Sequence, residues 1–244
     1  MQLGGDENAL SLASALGEAC ADVVVARCLD AALLNAVCSG NVRQVVVVGH
    51  GADTRALRLL WPAGVCIFEL GPHDALAHAE LAFHSAAIRP GKGVLLRRVS
   101  ADVSSTTATG VGWTARLLAA GFLPDRASTW ALQGLPLLQR HAADALLQEL
   151  ADVAALGSSV TGETQLSEPA ARTLLAECGF RLDAYTPLHE VAAALGRELR
   201  FASNGGAMFC ATKVRLTGVQ HEELQAELQR AEVDSGEEGF ADSP

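Results

Sequence analysis

Apolar residues along the chain fall into short and long runs that alternate. Val45–Val48 is apolar throughout, which is typical of a strand covered on both faces of a sheet. Similar short runs predict strands at about 65–70, 94–99, 128–132, 157–162, 180–186 and 207–214. Longer Ala- and Leu-rich runs predict helices over 7–38, 53–60, 74–87, 113–120, 139–156, 167–178 and 190–197. The alternation predicts an α/β fold, with about seven strands in a mainly parallel sheet and helices on both faces.

The C-terminal part of the pattern departs from strict alternation. A strand, a short helix and a Gly205-Gly206 turn precede the last strand, which predicts an antiparallel strand near the C-terminus. We expect three parts: helices over 1–40 that pack on the domain, an α/β domain over 41–215, and a C-terminal helix with an acidic tail over 216–244.

Charge is concentrated at the C-terminus. The chain has a net charge of −10, of which residues 220–244 contribute −7. The rest of the chain therefore has no clustered excess of Lys and Arg, which argues against a nucleic-acid partner. No apolar run reaches the roughly 18–20 residues that span a bilayer, so no membrane span is expected. Protein complexes could form through the helical surface or the acidic tail.

Cysteine and histidine spacing gives no metal site. The six cysteines are scattered without a CxxC pair, and the seven histidines show neither HxxxH nor HExxH. Reduced core thiols suit a reducing compartment. Residues 1–26 carry acids and no basic residue, unlike a signal or transit peptide. We therefore expect a cytoplasmic protein, or one of an organelle matrix if a leader had been removed.

The candidate chemistry centres on the turn after the first strand. Gly49 and Gly51 follow the four valines, and a helix follows the turn. Doubly wound sheets bind nucleotide-like cofactors at such a junction. Thr54 stands where a dinucleotide fingerprint has its third glycine, and no P-loop sequence is present. Glu69, at the end of the next strand, could accept hydrogen bonds from ribose hydroxyls. The pattern favours an adenosine without a pyrophosphate, such as S-adenosylmethionine.

The segment VVVVGHGADTRALRL resembles the first motif of the leucine carboxyl methyltransferase family, a valine-rich strand followed by GAGxDTRxxRL. Further resemblances follow in the family's order. They are Ala26-Arg27 with Asp30, Phe68-Glu69-Leu70, Ala101-Asp102-Val103, Trp130–Leu135, Gly179-Phe180 and Gly196-Arg197. The resemblance covers about residues 23–214 and implies a Rossmann-like class I methyltransferase fold. It also implies an S-adenosylmethionine-dependent O-methyltransferase with a carboxylate or hydroxyl acceptor, on a small molecule or a protein.

The resemblance assigns roles to cofactor-binding residues. Arg27 would reach the methionine carboxylate, Asp102 would lie beside the adenine, and Gln133 could hydrogen-bond the cofactor amine. For Gly49 and Gly51 the other interpretation is a tight connection with nothing bound. Arg27 could instead pair with Asp30, Glu69 could be a solvated acid at its strand end, and Asp102 could cap a loop. No catalytic residue is assigned, because an activated sulfonium needs mainly positioning.

Departures from the family pattern keep a second function open. Gly71 replaces the second acid of the family's FExD segment, Gln133 replaces a glutamate, and Pro136-Leu137 replaces a Met-Tyr pair. The N-terminal arm and the insertion after the fifth strand are largely missing. A lost charged hydrogen bond costs roughly 1.5–3 kcal/mol. The alternative is therefore a catalytically inactive methyltransferase-fold protein that serves as a structural or assembly subunit. His50 stands in place of the family's alanine, where crowding of the pocket is favoured over a catalytic base.

Overall fold

A computed structural model describes residues 6–39, 42–49, 53–101, 103, 112–197 and 206–215, with residues 6–21 as backbone only. The strands are β1 Gln44–Val48, β2 Cys66–Gly71, β3 Leu95–Ser100, β4 Ser128–Leu132, β5 Ser159–Thr164, β6 Phe180–Pro187 and β7 Ala207–Lys213. The helices are α1 Asp6–Ser39, α2 Arg55–Arg58, α3 His73–Ser85, α4 Trp113–Ala119, α5 Arg140–Val153, α6 Glu168–Glu177 and α7 Leu188–Ala194, with a 3-10 turn at Leu135–Leu137. The predicted acidic tail lies outside the described residues.

The seven strands form one sheet in the order β3-β2-β1-β4-β5-β7-β6. Neighbouring strands from β3 to β5 are parallel, whereas β7 runs antiparallel to both β5 and β6. The strand order reverses at β1, because β1 pairs with β2 on one side and β4 on the other. The predicted mainly parallel sheet and its antiparallel strand near the C-terminus are confirmed.

The sheet separates two apolar layers. On one face, α4, α5 and α6 pack over the side chains of alternate strand positions such as Val46, Phe68 and Trp130. On the other face, α1 and α7 pack over the intervening positions, such as Val45 and Val47. All five β1 residues are buried, as the valine run predicted for a strand covered on both faces.

The helix after β1 is shorter than the sequence predicts, whereas the helix before it spans its whole predicted range. The predicted helix over 53–60 is a single turn, Arg55–Arg58, which ends because Leu59 adopts an extended backbone. The long apolar run near the N-terminus forms one helix of 34 residues. Val24, Leu29 and Leu33 on this helix are buried against the sheet, so α1 is part of the core.

Candidate functional site

A cavity of about 310 Å³ lies at the carboxyl ends of the central strands, and we call it the β1–β4 cavity. Its described lining residues come from the ends of β1 and β4, from the segments after β2 and β3, from the 3-10 turn and from α5. They are Val48, Gly49, Pro72, Ala101, Val103, Leu132, Gln133, Gly134, Leu135, Leu137, Leu138 and Leu146. Open α/β sheets bind ligands in this place, where the strand order reverses.

Gly49 leaves open space at the floor of the β1–β4 cavity. Its backbone nitrogen donates a hydrogen bond to the Leu70 carbonyl at 3.3 Å, which joins the end of β1 to β2. A Cβ added at Gly49 would meet no atom of the described residues within 4 Å, and the backbone is not in the left-handed region. Glycine at this position therefore keeps the space above the strand open, and the backbone conformation does not require it.

Four charged residues form a group behind this turn, which we call the Asp30–Arg55 cluster: Asp30, Asp53, Arg55 and Arg58. Asp30 and Arg55 are buried, Asp53 is half-buried and Arg58 is exposed. Arg55 donates from Nε to Asp30 Oδ1 at 2.9 Å, and its Nη1 donates to Asp53 Oδ2. Arg58 binds both oxygens of Asp30, at 2.6 and 2.8 Å. These hydrogen bonds raise the pKa of Arg58. The cluster ties α1 to α2 through charge-assisted hydrogen bonds.

Asp53 also organises the backbone at the start of α2. Its Oδ1 accepts a hydrogen bond from the backbone nitrogen of Arg55 at 2.7 Å. Trp61 donates from Nε1 to the Arg55 carbonyl at 2.8 Å, so the turn is fixed at both ends. The N-cap of α2 is Thr54, which makes no capping hydrogen bond of its own, so the Asp53 carboxylate takes over this role for the first helical nitrogen.

Gln133 lies between the Asp30–Arg55 cluster and the β1–β4 cavity. Its side-chain oxygen accepts a hydrogen bond from Arg55 Nη2 at 2.8 Å. Its backbone nitrogen donates to the Val48 carbonyl at 3.0 Å, which extends the pairing of β1 and β4 by one residue. Gln133 is the only residue with a polar side chain among the described lining residues of the cavity.

Glu69 is buried at 2% exposure, so it is not a solvated acid at its strand end. One carboxylate oxygen accepts a hydrogen bond from the Asp53 backbone nitrogen at 2.9 Å, and the other accepts from Arg98 Nε at 3.0 Å. Burial raises the pKa of Glu69, while these two donors act in the opposite direction. Glu69 thus holds the segment after β1, and it is not among the described lining residues of the cavity.

The other predicted cofactor residues are placed differently. Arg27 is exposed on α1 and does not appear among the described residues that line the cavity. Asp30, one turn further on, pairs with Arg55 and Arg58. Gly51 and Asp102 lie outside the described residues, as does His50. Ala101 and Val103, the chain neighbours of Asp102, both line the cavity.

A second cavity of about 270 Å³ adjoins the first, and we call it the α5–α6 cavity. Leu135 and Leu138 line both cavities, and Glu163 at the end of β5 lines the second one. The carboxylate of Glu163 accepts a hydrogen bond from the Gly134 backbone nitrogen at 2.6 Å. The predicted fifth strand ends at Gly162, so Glu163 is not among the candidate residues from the sequence. An acidic residue at the carboxyl end of a strand is the sequence signal that could have identified Glu163.

Only residues 165–167 connect β5 to α6, which agrees with the expected lack of an insertion there.

No helix in the described ranges is long and apolar enough to cross a membrane. The same residues contain no group of three His, Cys, Asp or Glu side chains arranged to hold a metal ion.

The sheet order, the antiparallel β7 between β5 and β6, and the cavity at the carboxyl ends of β1–β4 define a class I methyltransferase fold. The sequence model of the leucine carboxyl methyltransferase family matches residues 9–151, more than half of the chain. The protein therefore belongs to the leucine carboxyl methyltransferase family.

Two curated relatives agree with this family. "O-methyltransferase 1, chloroplastic" of Oryza sativa subsp. japonica is 28% identical over 216 residues, which cover 83% of this chain and 58% of the relative. A Mycolicibacterium smegmatis protein, named provisionally as an S-adenosyl-L-methionine-dependent methyltransferase, is 36% identical over 141 residues, which cover 57% of this chain and 43% of the relative. The chain thus spans about half the length of these curated relatives.

A solved structure agrees with the fold. The 1,6-didemethyltoxoflavin-N1-methyltransferase of Burkholderia thailandensis, crystallised with S-adenosylhomocysteine, has a TM-score of 0.50 and 15% identity. The superposition covers 88% of this chain and 92% of that chain. At this identity the likeness concerns the fold alone.

Proposed function

We propose that the protein is an S-adenosylmethionine-dependent O-methyltransferase and that the β1–β4 cavity takes the cofactor. The observation that carries this proposal is the open cavity beside the glycine turn, in a chain of the leucine carboxyl methyltransferase family. Its volume lies in the range of small-molecule sites. The cofactor would supply a methyl group already activated on a sulfonium, so the protein would mainly position it against an acceptor.

The lining of the cavity supports an amphipathic ligand of this kind. Pro72, Ala101 and Val103 offer apolar contacts at the β2 and β3 side, which suit a purine. Gly49 lets a ligand approach the backbone, since no atom of the described residues lies within 4 Å of where its Cβ would be. Gln133 puts a polar group at the β4 side, which suits an amino-acid end.

The remaining residues predicted to bind the cofactor would have different roles. Gly51 would continue the turn, and Asp102 would lie near the purine, because both of its chain neighbours line the cavity. Glu69 accepts a hydrogen bond from the Asp53 backbone nitrogen, so it would shape the turn on which a ribose rests. An exposed Arg27 would have to reorient its side chain to reach a ligand.

The acceptor would enter from the α5–α6 cavity, which shares Leu135 and Leu138 with the β1–β4 cavity. Leucine supplies six of its fifteen described lining residues, and Arg140, Asp144 and Glu163 supply charged groups. A carboxylate acceptor is deprotonated at neutral pH and needs no base, whereas a hydroxyl acceptor gains from one. The proposal therefore keeps both a carboxylate and a hydroxyl acceptor.

The open cavity and the free cysteines bear on the activity and on the compartment of the protein. The described side chains leave the β1–β4 cavity open, which argues against an inactive subunit whose pocket is plugged by side chains. Cys28, Cys38, Cys66, Cys178 and Cys210 are all free thiols, which supports a reducing compartment such as the cytoplasm. The chloroplastic name of one relative makes an organelle the competing location.

The test is calorimetry with S-adenosylmethionine and S-adenosylhomocysteine, with adenosine triphosphate as the control ligand. We expect the two S-adenosyl ligands to bind and the triphosphate to bind far more weakly, because the described lining residues carry no cationic side chain. Absence of heat with both S-adenosyl ligands at millimolar concentration would contradict the proposal. Transfer of a labelled methyl group to candidate carboxylates and phenols then separates the enzyme from the inactive subunit.

A further inference from the structure

The orientation of the Gln133 side chain follows from its partner. The guanidinium of Arg55 has five N–H donors and no acceptor. The Gln133 atom that lies 2.8 Å from Arg55 Nη2 must therefore be the amide oxygen, and the amide nitrogen must point elsewhere. A glutamine cannot exchange these two atoms here without placing one donor against another.

Arg55 is itself held rigidly. Its side chain is 3% exposed, and Asp30 and Asp53 accept hydrogen bonds from Nε and Nη1. Moving the guanidinium would leave the buried charge of Arg55 without its partners and would break the hydrogen bonds to the buried Asp30 and the half-buried Asp53, which is costly in a low-dielectric interior. The Asp30–Arg55 cluster therefore fixes which atom of Gln133 faces the cluster.

The amide nitrogen of Gln133 remains available on the cavity side. Within the described part of the chain it donates no hydrogen bond, and no buried side-chain nitrogen or oxygen lacks a partner. The nitrogen is therefore accessible, on a half-buried residue that lines the β1–β4 cavity. It offers a donor to whatever the cavity holds.

We propose that the Gln133 amide donates a hydrogen bond to the α-carboxylate of an S-adenosyl ligand, and that Arg55 is the positioning residue that sets this polarity. The proposal rests on the proposed function, because it assigns one contact within that ligand. It reverses the role expected from the sequence, in which Gln133 would accept from the cofactor amine. A glutamate at this position would offer only acceptors and would favour the ammonium instead.

The exposed placement of Arg27 supports this assignment. The resemblance gave the methionine carboxylate to Arg27, which is exposed on α1 and absent from the described lining of the cavity. The described lining contains one polar side chain, and that side chain presents a donor. Among the described lining residues, the end of β4 is therefore the place where the carboxylate of the ligand meets a side-chain donor.

The test compares three ligands on the same protein by calorimetry: S-adenosylhomocysteine, its analogue without the α-carboxylate, and its analogue without the α-amine. We expect the wild-type protein to bind the first analogue roughly 10- to 100-fold more weakly than S-adenosylhomocysteine, as for loss of a hydrogen bond to a charged group. Equal binding of S-adenosylhomocysteine and the analogue without the carboxylate would overturn the proposal. This arm needs no substitution.

Two variants then identify the donor. Gln133→Glu keeps an acceptor for Arg55 but replaces the donor by a negative group, so it should weaken S-adenosylhomocysteine by more than tenfold and not weaken the analogue without the carboxylate. Gln133→Leu should weaken S-adenosylhomocysteine to the level of that analogue on the wild-type protein. Tighter binding of S-adenosylhomocysteine by Gln133→Glu would show amine recognition and overturn the proposal.

The matched control is Gln148→Glu, the same chemical change at an exposed position of α5 outside both cavities. It should bind all three ligands as the wild-type protein does. If the wild-type protein binds neither S-adenosylhomocysteine nor S-adenosylmethionine, the proposed function fails and this assignment fails with it. If it binds them and the Gln133 variants bind equally well, only this assignment is overturned.

Discussion

The Asp30–Arg55 cluster and the β1–β4 cavity are adjacent, yet they have opposite chemistry. In the cluster, Asp30 and Asp53 lie within hydrogen-bonding distance of Arg55, and Asp30 also binds Arg58. In the cavity, the described lining is apolar except for Gln133. The charged residues of the Asp30–Arg55 cluster thus stabilise backbone segments. Ligand binding in the cavity would depend instead on its shape and on the Gln133 amide.

This difference separates folding from binding. Removing one member of a buried ion pair leaves the other charge without compensation and destabilises the fold. Adding a side chain to an open cavity leaves the fold unchanged and blocks the ligand. Substitutions in the two regions should therefore affect different measurements, except at Gln133, which belongs to both.

The largest expected effect on stability comes from Asp30→Ala. Asp30 accepts three hydrogen bonds from two arginines, and its exposed fraction is 4%. We expect the free energy of unfolding to fall by about 3–5 kcal/mol, because the buried Arg55 loses a charged partner. Urea denaturation measures this change, and S-adenosylhomocysteine calorimetry on the remaining folded protein shows how far it spreads to the cavity.

The matched control is Asp144→Ala, which removes an exposed ion pair with Arg140 on α5. Its expected cost is less than about 0.5 kcal/mol, as for other exposed i,i+4 pairs. Equal losses of stability in Asp30→Ala and Asp144→Ala would contradict the structural role of the cluster.

The second effect concerns binding and comes from Gly49→Leu. The added side chain meets no atom of the described residues at its Cβ and needs no left-handed backbone, so the midpoint of urea denaturation should change little. The side chain would instead occupy the cavity, and we expect S-adenosylhomocysteine affinity to fall roughly 100-fold, which corresponds to about 3 kcal/mol. Gly49→Ala, with one methyl group, should give a smaller loss of affinity.

A stability loss in Gly49→Leu comparable to that of Asp30→Ala would contradict this separation of the two regions. Unchanged affinity in Gly49→Leu would mean that ligands do not enter the cavity above β1. The two variants together therefore test both halves of the comparison with the same two measurements.

The sheet could be predicted from the sequence because its strands are short, apolar throughout and separated by helix-forming runs. β1 and β4 were predicted at their observed bounds, and the other strands differ by at most two residues at either end. The helix after β1 was predicted too long, because Ala56–Leu60 are mostly good helix formers, and the restriction that Pro62 places on Trp61 does not reach Leu59, where the helix ends.

The roles of polar residues could not be predicted in the same way. Glu69 and Arg98 come from different strands and meet only because β2 and β3 pair in one particular register. Asp30 comes from a helix whose angle on the sheet the sequence does not specify. Gln133, predicted from the sequence as a cofactor-binding residue, lines the cavity, but which of its atoms faces the cavity depends on Arg55, 78 positions away.

A smaller effect on stability is expected from Arg58→Ala. The Arg58 side chain is 41% exposed, and after its removal Asp30 keeps the hydrogen bond from Arg55 Nε. We expect a loss of about 1 kcal/mol in urea denaturation, the value of a partly solvated hydrogen-bonded pair. A loss as large as that of Asp30→Ala would mean that the exposed arginine, rather than Arg55, holds α1 to α2.

The smallest effect is a pH dependence carried by Glu69. Burial raises the pKa of Glu69 in the folded chain, although Arg98 and the Asp53 amide partly offset this effect. Between the ordinary pKa of 4.5 and the raised value, the folded chain binds more protons than the unfolded chain. The contribution of Glu69 to stability is therefore largest below pH 4.5 and declines as the pH rises through this interval.

Glu69→Gln does not titrate, so we expect wild-type stability to fall relative to this variant between pH 4 and pH 7 in urea denaturation. A relative gain by the wild-type protein over the same interval would mean that Arg98 outweighs burial and that this carboxylate is stabilised as an ion.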